Sequence, residues 1–387
     1  MGRRKSDGRA DMAREARYRC RRSCCRLRAV ALLAGPGTAR NLPAGGQRVK
    51  FIRNIWYCAG WSEEFTRTPL AKMFLNEPVV MFRSVKGTPI ALANLCPHRL
   101  VPLSMGRLIG DVLECGYHGL QFDASGACVH NPHQSGTIPR AAQVKAYPVA
   151  ERHGLVWIWM GNASLADEDL IPDYSNISDT ENMREVHGTL RLEANYLLVL
   201  DNLSDLSHAA ILHPNLQSRE LTKADYKVLE EGERLWIKQF APAMEVPNVW
   251  RQVKGIADRL DHWQEVRFDP PGCLVTYLWF STPGTPRENG YLVYAPNIIT
   301  PETDDTTHYF WAIVRNFNLD DENLSASFRS GAQAAFEAED KPMLEAQQRY
   351  LGQKDLMEMR PVLLPNDSGS ARARRIVDRR IQIEKEA

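Results

Sequence analysis

Two short loops near residue 100 constrain this chain more than any other feature of its sequence. The first is a C-x-H motif formed by Cys96 and His98. The second, after sixteen intervening residues, is a C-x-x-H motif formed by Cys115 and His118. Each loop supplies one thiol and one imidazole at a short spacing, which is typical of a metal site. The fold must therefore bring two loop tips together around a metal centre.

Two kinds of metal centre fit this ligand set. Zinc would take all four side chains in one tetrahedron. A two-iron, two-sulfide cluster of mixed ligation would place both cysteines on one iron and both histidines on the other. Zinc fingers usually pair Cys with Cys and His with His, whereas each loop here mixes the two types. The mixed pairing favours the two-iron cluster, and four unrelated buried residues are the remaining alternative.

The two loops resemble the Rieske signature of bacterial ring-hydroxylating and O-demethylating oxygenases. The Rieske protein of respiratory complexes differs, because each of its loops carries an extra cysteine and the two form a disulfide. The matching positions in this chain are Val101 and Tyr117, so that disulfide cannot form. The resemblance implies that a Rieske [2Fe–2S] cluster is bound by Cys96, His98, Cys115 and His118.

The composition is that of a globular protein with an uneven charge distribution. The 387 residues suffice for two or three domains, and 44% hydrophobic and 25% charged residues are ordinary values. Residues 1–50 carry 14 Lys/Arg and 3 Asp/Glu, whereas residues 51–387 carry 34 and 44. This acidic body argues against nucleic-acid binding, which needs a basic face. No apolar run reaches the length of about 18 residues that suggests a membrane span.

The six other cysteines form no regular framework of bridges, so we expect a reducing, cytoplasmic location. Three of them lie in the body of the chain and are predicted to be buried free thiols, namely Cys58, Cys128 and Cys273. The other three lie in residues 1–49, which are predicted to be a disordered and dispensable basic leader. A targeting peptide, a basic tail for an acidic partner, and read-through from an early start codon are the competing interpretations of this leader.

Residues 50–162 are predicted to form a small all-β domain with the two metal-binding loops at its tips. Apolar, β-branched runs alternate there with turn signals such as the Asp-Ala-Ser-Gly sequence at 123–126. We expect strands over residues 51–57, 79–83, 90–95, 120–122, 127–129 and 155–161. Residues 163–185 are expected to be a linker at the start of a second domain that extends over residues 163–387.

A second group of polar residues follows this linker. Asn202, Asp205 and His208 recur every three residues and would share one face of a helix. His213 lies five residues further on, about 140° round an ideal helix, and Pro214 ends any regular helix. Both histidines could bind one metal only if the helix loosens, and a polar helix face is the alternative.

This second group also resembles the same oxygenases, whose catalytic domain carries an N-x-x-D-x-x-H-x4-H signature. In that family the two histidines bind a mononuclear non-haem iron, which implies the same role for His208 and His213. A set of two histidines and one carboxylate then needs an acid from a distant segment.

The acid is expected in a long helical pattern over residues 321–352. The pattern alone leaves Glu337, Glu339 and Asp340 as nearly equal candidates, beside a solvated acidic face. The stretch resembles the corresponding part of the vanillate and dicamba O-demethylase group, and the resemblance assigns the third ligand to Asp340.

The resemblance covers residues 51–387. It implies an α+β protein in which an all-β Rieske domain precedes a catalytic domain with an antiparallel sheet and flanking helices, as in a helix-grip fold. It also implies a terminal oxygenase that uses O2 and electrons from a reductase to O-demethylate or methyl-hydroxylate a vanillate-like aromatic substrate. One alternative is ring dihydroxylation. A second is simple electron transfer, which an intact set of three iron ligands makes less fitting.

The family also implies roles for two polar residues and for partner proteins. Asn202 and Asp205 are the expected catalytic side chains, and Asp205 is expected to link His208 to His118 of a neighbouring subunit in a head-to-tail homotrimer. Because the chain has no G-x-G-x-x-G loop, electrons are expected from an NAD(P)H-dependent reductase with flavin and a ferredoxin centre. The sequence does not identify substrate-binding residues. Aromatic and polar residues on the strands near residues 291–297 are candidates, and a packed sheet core is an equal alternative.

Overall fold

Short strands build the N-terminal part of the protein. The structure is a computed structural model that describes residues 51–386, so the predicted leader lies outside the described residues. Eleven strands lie between residues 56 and 159: β1 Trp56–Trp61, β2 Leu70–Phe74, β3 Glu77–Arg83, β4 Pro89–Ala93, β5 Arg107–Ile109, β6 Val112–Glu114, β7 Gln121–Phe122, β8 Cys128–His130, β9 Ala146–Tyr147, β10 Val149–Arg152 and β11 Leu155–Trp159. They form three antiparallel sheets with the orders β1-β11-β10, β2-β3-β4-β9 and β5-β6-β7-β8.

The sheet formed by β5–β8 presents the two candidate metal loops. The first loop connects β4 to β5, and the second connects β6 to β7. The predicted turn at 123–126 joins β7 to β8, and Asp123 Oδ1 accepts a hydrogen bond from the amide of Ser125 (2.9 Å). Gly126 has a φ of +81°, and a Cβ atom there would lie 2.0 Å from the carbonyl oxygen of Val144. Only glycine fits this position, which explains the sharp turn.

A seven-stranded antiparallel sheet and its helices make up the C-terminal part. Its strand order is β12-β18-β17-β16-β15-β14-β13, with these bounds: β12 Arg184–Leu192, β13 Asp225–Glu231, β14 Arg234–Glu245, β15 Arg259–Asp269, β16 Cys273–Ser281, β17 Tyr291–Pro301 and β18 Thr307–Arg315. The helices are α1 Tyr196–Ser204, α2 Ala209–Leu212, α3 Glu322–Gln333, α4 Lys341–Leu351 and α5 Ser368–Glu386, and a π-helical segment Ala334–Asp340 joins α3 to α4. The predicted α+β fold is confirmed.

Local sequence accounts for where these helices begin. Asn195 precedes α1, and its Oδ1 atom accepts a hydrogen bond from the amide of Leu197 (2.8 Å). Asp321 precedes α3 and accepts in the same way from the amide of Leu324 (2.9 Å). Such caps satisfy amides that have no partner within the helix. The long helical pattern predicted over 321–352 is confirmed, with a π-helical segment in its middle.

The segment predicted as a linker is packed rather than loose. It contains three 3₁₀ turns, and Ile171, Tyr174 and Ile177 are buried in a core shared with β11 and β16–β18. A second core joins the two parts directly, since it contains Val156 of β11 together with Leu235 of β14. Residues 51–386 accordingly lie in one compact unit, and the division at residue 162 stays a prediction. The first strand begins at residue 56, later than the predicted 51.

The cysteines and the helices of the described residues bear on the predictions drawn from composition. Cys58, Cys128 and Cys273 are buried and free, as predicted. Within residues 51–386, every helix is too short or too polar to cross a lipid bilayer.

Candidate metal centres

The two metal-binding loops share one backbone design. In the first loop the amide of Leu100 donates to the carbonyl of Cys96 (2.9 Å), and in the second the amide of Gly119 donates to that of Cys115 (3.0 Å). In each loop the amide of the cysteine also donates to the carbonyl five residues further on (2.9 and 2.8 Å). Leu100 and Gly119 both have positive φ angles, of 56° and 73°. The repeated hydrogen bonds hold each histidine at the tip of a tight turn.

The four predicted cluster ligands come together at these tips. Cys96 and Cys115 are only 1% and 2% exposed, whereas His98 is exposed and His118 is half-buried. The two imidazole ring centres lie 4.5 Å apart. Burial, with a smaller contribution from the Cys115 thiol, raises the pKa of Cys96. The thiols thus lie inside and the imidazoles outside, as required by a two-iron cluster in which one iron is bound by two cysteines and the other by two histidines.

The second candidate centre is built on an interrupted helix. Helix α1 ends just before Asp205, which adopts an extended conformation (φ −93°, ψ 110°). The Asp205 carboxylate accepts hydrogen bonds from the amides of Ser207 (2.7 Å) and His208 (3.2 Å), and these bonds start the short helix α2. The prediction that Asn202, Asp205 and His208 share one helix face is therefore wrong. The helix loosens before His208, not between His208 and His213.

This break brings two histidines and one carboxylate into a single cluster. Asp340 Oδ1 lies 3.6 Å from His208 Nε2, and its Oδ2 lies 3.3 Å from His213 Nε2. Candidate donor atoms of the three residues lie within 4.8 Å of one another. His213 and Asp340 are buried, and His208 is partly buried. Within residues 51–386 this is the one group of three or more His, Cys, Asp or Glu side chains whose donor atoms lie close enough together to hold a single metal ion.

The π-helical segment separates the three acids that the sequence pattern left equal. Asp340, its last residue, is buried and faces both histidines. Glu339 Oε2 lies 2.6 Å from His213 Nδ1, on the far side of the imidazole ring. Glu337 is exposed and accepts a hydrogen bond from Gln333 Nε2 (3.2 Å). Segments of this kind are frequent at functional sites, and this one leaves only Asp340 beside both Nε2 atoms.

The ion pairs of this cluster control the protonation of its side chains. Burial lowers the pKa of His213, but contacts with Asp340 and Glu339 outweigh burial and leave the pKa raised. Burial raises the pKa of Asp205, but hydrogen bonds from His208 and Ser207 outweigh it and lower the pKa. Asp205 is therefore charged at neutral pH, and its Oδ2 lies 3.6 Å from His208 Nδ1.

Asn202 completes the immediate surroundings of the cluster. Its Nδ2 atom donates to Asp340 Oδ1 (3.0 Å) and lies 3.4 Å from His208 Nε2. The structure thus brings Asn202 to the predicted site, although from the last turn of α1 and not from a helix shared with His208. The contact fixes the Asp340 carboxylate against both histidines.

The cluster opens into a cavity between the sheet and the helices. The cavity has a volume of about 150 Å³ and is walled largely by apolar side chains such as Trp250, Phe328 and Phe336. Apart from the metal cluster and its neighbours Asn202 and Asp205, the polar lining residues are Gln217, Gln264, Thr276 and Asn297. Of the aromatic and polar candidates over 291–297, Asn297 lines the cavity and the tyrosines do not, whereas the apolar Val293 and Ala295 also line it.

Sequence reasoning missed Glu339 as a partner of His213 and missed Gln217 and Gln264 as cavity residues. A signal for Gln264 exists in the alternation of β15. Leu260, Val266 and Phe268 share one side of that strand with Gln264 and His262, and two polar side chains in this apolar row mark a site. No comparable signal marks Gln217, which reaches the cavity through the irregular chain after His213.

Both donor sets fit the metal groups that the sequence implied. Two imidazoles and one carboxylate on one side of a cavity, with the other side open, suit a ferrous ion that must bind further ligands. Two buried thiols beside two outer imidazoles suit a Rieske cluster. The close pairing of each thiol with an imidazole in its own loop argues against a zinc finger.

Comparisons with known proteins agree with these assignments. Residues 55–148 match the family described as Rieske [2Fe-2S] domain, and residues 192–382 match the vanillate O-demethylase oxygenase C-terminal domain. The oxygenase component of chloroacetanilide N-alkylformylase from Rhizorhabdus wittichii is 38% identical over 337 residues, covering 86% of this chain and 97% of that protein. The oxygenase component of dicamba O-demethylase from Stenotrophomonas maltophilia is 34% identical over 336 residues, covering 86% and 99%.

Solved structures give the same result. The crystal structure of dicamba monooxygenase bound to dicamba superposes with a TM-score of 0.82 at 34% identity, covering 87% of this chain and 99% of that one. A further crystal structure of that enzyme contains non-haem iron. The chain therefore belongs to the Rieske non-haem iron oxygenases, as an oxygenase component in the group of the vanillate and dicamba O-demethylases, with a [2Fe–2S] cluster and a mononuclear iron as cofactors.

Proposed function

We propose that this chain is the terminal component of a monooxygenase system that O-demethylates or methyl-hydroxylates a small aromatic substrate. The observation that supports this most directly is the complete set of two histidines and one carboxylate facing a cavity of about 150 Å³. A cavity of about that volume holds one benzene ring. The oxygenase relatives named for dicamba and vanillate are O-demethylases, which supports attack on a methyl group.

The residue assignments are part of this proposal. The mononuclear iron is held by His208, His213 and Asp340, whose donor atoms converge at the cavity. The cluster is held by four residues at the two loop tips, namely Cys96, His98, Cys115 and His118. When bound, the two metal groups supply electron storage and oxygen activation, and the protein supplies position and access.

The reaction balances as a monooxygenation. One oxygen atom of O2 enters a C–H bond of the methyl group, and the other leaves as water after uptake of two electrons and two protons. For a methoxy substrate the resulting hemiacetal breaks its C–O bond to give a phenol and formaldehyde. The apolar walls formed by Trp250, Phe328 and Phe336 exclude bulk water and orient the ring.

Asn202 and Asp205 act beside the iron ligands. Asn202 holds the Asp340 carboxylate through its 3.0 Å hydrogen bond. The charged Asp205 fixes the His208 ring from its Nδ1 side and connects it to His118 of a neighbouring subunit. This connection needs a head-to-tail ring of subunits, and a homotrimer is proposed by analogy with the family. Exposed apolar side chains near the cluster loops support an interface there, and they include Leu100, Met105 and Tyr117.

The electrons come from a partner protein. The relatives are oxygenase components, which implies a reductase in the same system. The partner proposed here is an NAD(P)H-dependent reductase with flavin and a ferredoxin centre, and O2 is the second substrate. A cytoplasmic location is supported by the three buried free cysteines that are not cluster ligands, namely Cys58, Cys128 and Cys273.

The experiment that tests this function measures metal content and product together. Anaerobically purified protein should hold about three irons and two acid-labile sulfides per chain, with a Rieske-type visible spectrum. With a surrogate reductase and NADH, methoxyaromatic compounds should release formaldehyde. The His213→Ala variant should keep the Rieske-type spectrum, lose one iron per chain and release no formaldehyde. Two irons in the wild type, with no gain on adding ferrous iron, would leave only an electron carrier. Zinc without sulfide would contradict both functions.

A further inference from the structure

The cavity beside the proposed iron site has a polar lining without a positive charge. Among residues 51–386, none of the side chains that line it is Lys or Arg. Its only charged or chargeable residues are Asp205, His208, His213 and Asp340. The charge of a ferrous ion would be balanced by Asp340 and Asp205. A carboxylate entering this cavity would therefore meet no cation to replace its hydration, and burying it would be costly.

Two buried arginines on the strands of the seven-stranded sheet are already used elsewhere. Arg315 is 1% exposed and donates to the carbonyl oxygens of Phe317 (3.1 Å) and Asn318 (3.0 Å). Arg267 lies on β15 but three residues from Gln264, so its side chain points to the opposite face of the sheet. There it donates to the carbonyl of Asp173 (2.9 Å). Neither guanidinium group is free to receive an anionic substrate.

Two carboxamides in the lining have unused hydrogen-bonding capacity. Gln264 and Gln217 are 4% and 7% exposed, and the buried Oε1 atom of each has no hydrogen-bond partner. Asn297 differs, because its Nδ2 donates to the Ala295 carbonyl (2.9 Å) and its Oδ1 accepts from Tyr309 (2.6 Å). Buried polar groups without partners are rare and call for a ligand or an ordered water.

We propose that the substrate is an uncharged aromatic compound whose amide, carbonyl or hydroxyl group hydrogen-bonds to Gln264. A carboxamide is both a donor and an acceptor, so it matches a neutral polar group and offers a carboxylate only its NH2 donors. The proposal rests on the oxygenase function proposed above and narrows its vanillate-like substrate class to neutral members. Gln217 provides a second carboxamide in the lining. It lies close to His213, because the backbone amide of Gln217 donates to the carbonyl of His213 (2.9 Å).

The test uses pairs of compounds that differ only in charge. One pair is 4-hydroxy-3-methoxybenzamide and vanillate, and another is 3-methoxybenzamide and 3-methoxybenzoate. Binding to the anaerobic, metal-loaded protein is measured by calorimetry, without turnover. We expect each amide to bind about tenfold or more tightly than its carboxylate. A panel in which no amide binds more tightly than its acid would overturn the proposal.

Two substitutions of Gln264 and one matched control connect this preference to the residue. Gln264→Leu should weaken the binding of each amide and so lower the affinity ratio of each pair, although the lack of a cation keeps the ratio above one. Gln264→Glu should raise the ratio, because it adds a negative charge. The control is Gln239→Leu. Gln239 is 6% exposed, is paired with Gln264 across β14 and β15, and also has an Oε1 atom without a hydrogen-bond partner. It differs from Gln264 because it does not line the cavity. The control should leave the ratio unchanged.

These outcomes separate the two proposals. Equal effects of Gln264→Leu and Gln239→Leu would show that general polarity and not contact sets the preference, and would overturn the role of Gln264. If Gln264 bonds a water and not a substrate group, Gln264→Leu will keep the wild-type affinity ratio, which overturns the role of Gln264 as well. Selective binding of the amides without formaldehyde from any of them would contradict the oxygenase function and leave the neutral cavity standing.

Discussion

His213 Nδ1 lies 2.6 Å from Glu339 Oε2, while Nε2 of the same ring faces Asp340 Oδ2 at 3.3 Å. Glu339 therefore holds Nδ1 of the imidazole, and Asp340, the next residue in the chain, faces Nε2. An anion on Nδ1 fixes the tautomer that leaves Nε2 free for a metal and makes the ring a stronger ligand. Adjacent residues share these tasks because the π-helical segment turns both of them toward His213.

The first prediction concerns this contact. Glu339→Gln keeps the shape of the side chain but removes its charge, so the affinity of the mononuclear site for ferrous iron should fall about 10- to 100-fold. Chelator competition measures the iron retained, with the visible spectrum of the cluster as an internal reference. Glu337→Gln is the matched control, because Glu337 is exposed and contacts Gln333. Equal iron retention in both variants would contradict the role of Glu339.

The second prediction concerns the link between the two metal centres. Asp205→Asn removes the charge 3.6 Å from His208 Nδ1. It should slow reoxidation of a pre-reduced cluster in a single turnover about 10- to 100-fold, with iron and sulfide contents unchanged. Ser207→Ala removes only the hydroxyl that donates to Asp205 (2.6 Å) and should have a smaller effect. A wild-type reoxidation rate in Asp205→Asn would rule out this path.

The third prediction concerns the helix that carries Asn202. Arg374 of α5 forms a bidentate pair with Asp201 of α1 (2.7 Å) and is 5% exposed. Arg374→Met leaves the partly buried Asp201 without its partner, so the free energy of unfolding should fall by about 3 kcal/mol. The double variant Asp201→Asn/Arg374→Met should recover part of this loss. Arg375→Met, at an exposed neighbour, should change the value by about 0.5 kcal/mol or less. Urea titration measures all three variants, and equal losses in both arginine variants would contradict the pair's role.

The fourth prediction concerns pH. His187 of β12 stacks on Trp61 and lies between Glu185 (3.0 Å) and Glu63 (2.7 Å). Burial lowers its pKa, but the two carboxylates outweigh burial and leave the pKa raised. Arg329 donates to the backbone carbonyl of His187 (2.6 Å) and not to its imidazole ring. A raised pKa means that the folded state holds the proton more tightly than the unfolded state does. The stabilisation is therefore complete below the unfolded pKa of about 6.5 and is lost as pH rises through the folded pKa.

The expected size is modest, about 1 kcal/mol, because Glu63 is largely exposed to solvent. The melting temperature of the wild type should exceed that of His187→Gln by more at pH 6 than at pH 8.5. A difference that stays constant or grows with pH would show that stacking on Trp61, and not charge, stabilises this contact between β12 and the N-terminal strands.

The site predictions differ in how far local sequence could support them. The cluster loops were predictable because their four ligands lie within 23 residues of one another, and tight turns fix spacing locally. The geometry at Asp205 was not, since a helix pattern that continues through 201–208 gives no sign that hydrogen bonds from Ser207 and His208 break it. The choice among three acids could not come from the pattern either, because it depends on where a π-helical segment begins.

The spacing of the four loop ligands was enough to predict a metal site of two thiols and two imidazoles, whereas the ligands of the mononuclear iron, Asp340 above all, were predicted from the resemblance to the oxygenases. Apolar runs and turn signals predicted the strands and the order of the two parts. Other features became visible only in the folded chain. Asp340 faces both histidines while Glu339 stands behind His213, and Gln264 of β15 lines the same cavity as Asn202 of α1. The physical reason is that such contacts join segments many residues apart, whose positions are fixed by packing of the shared core and not by any local preference.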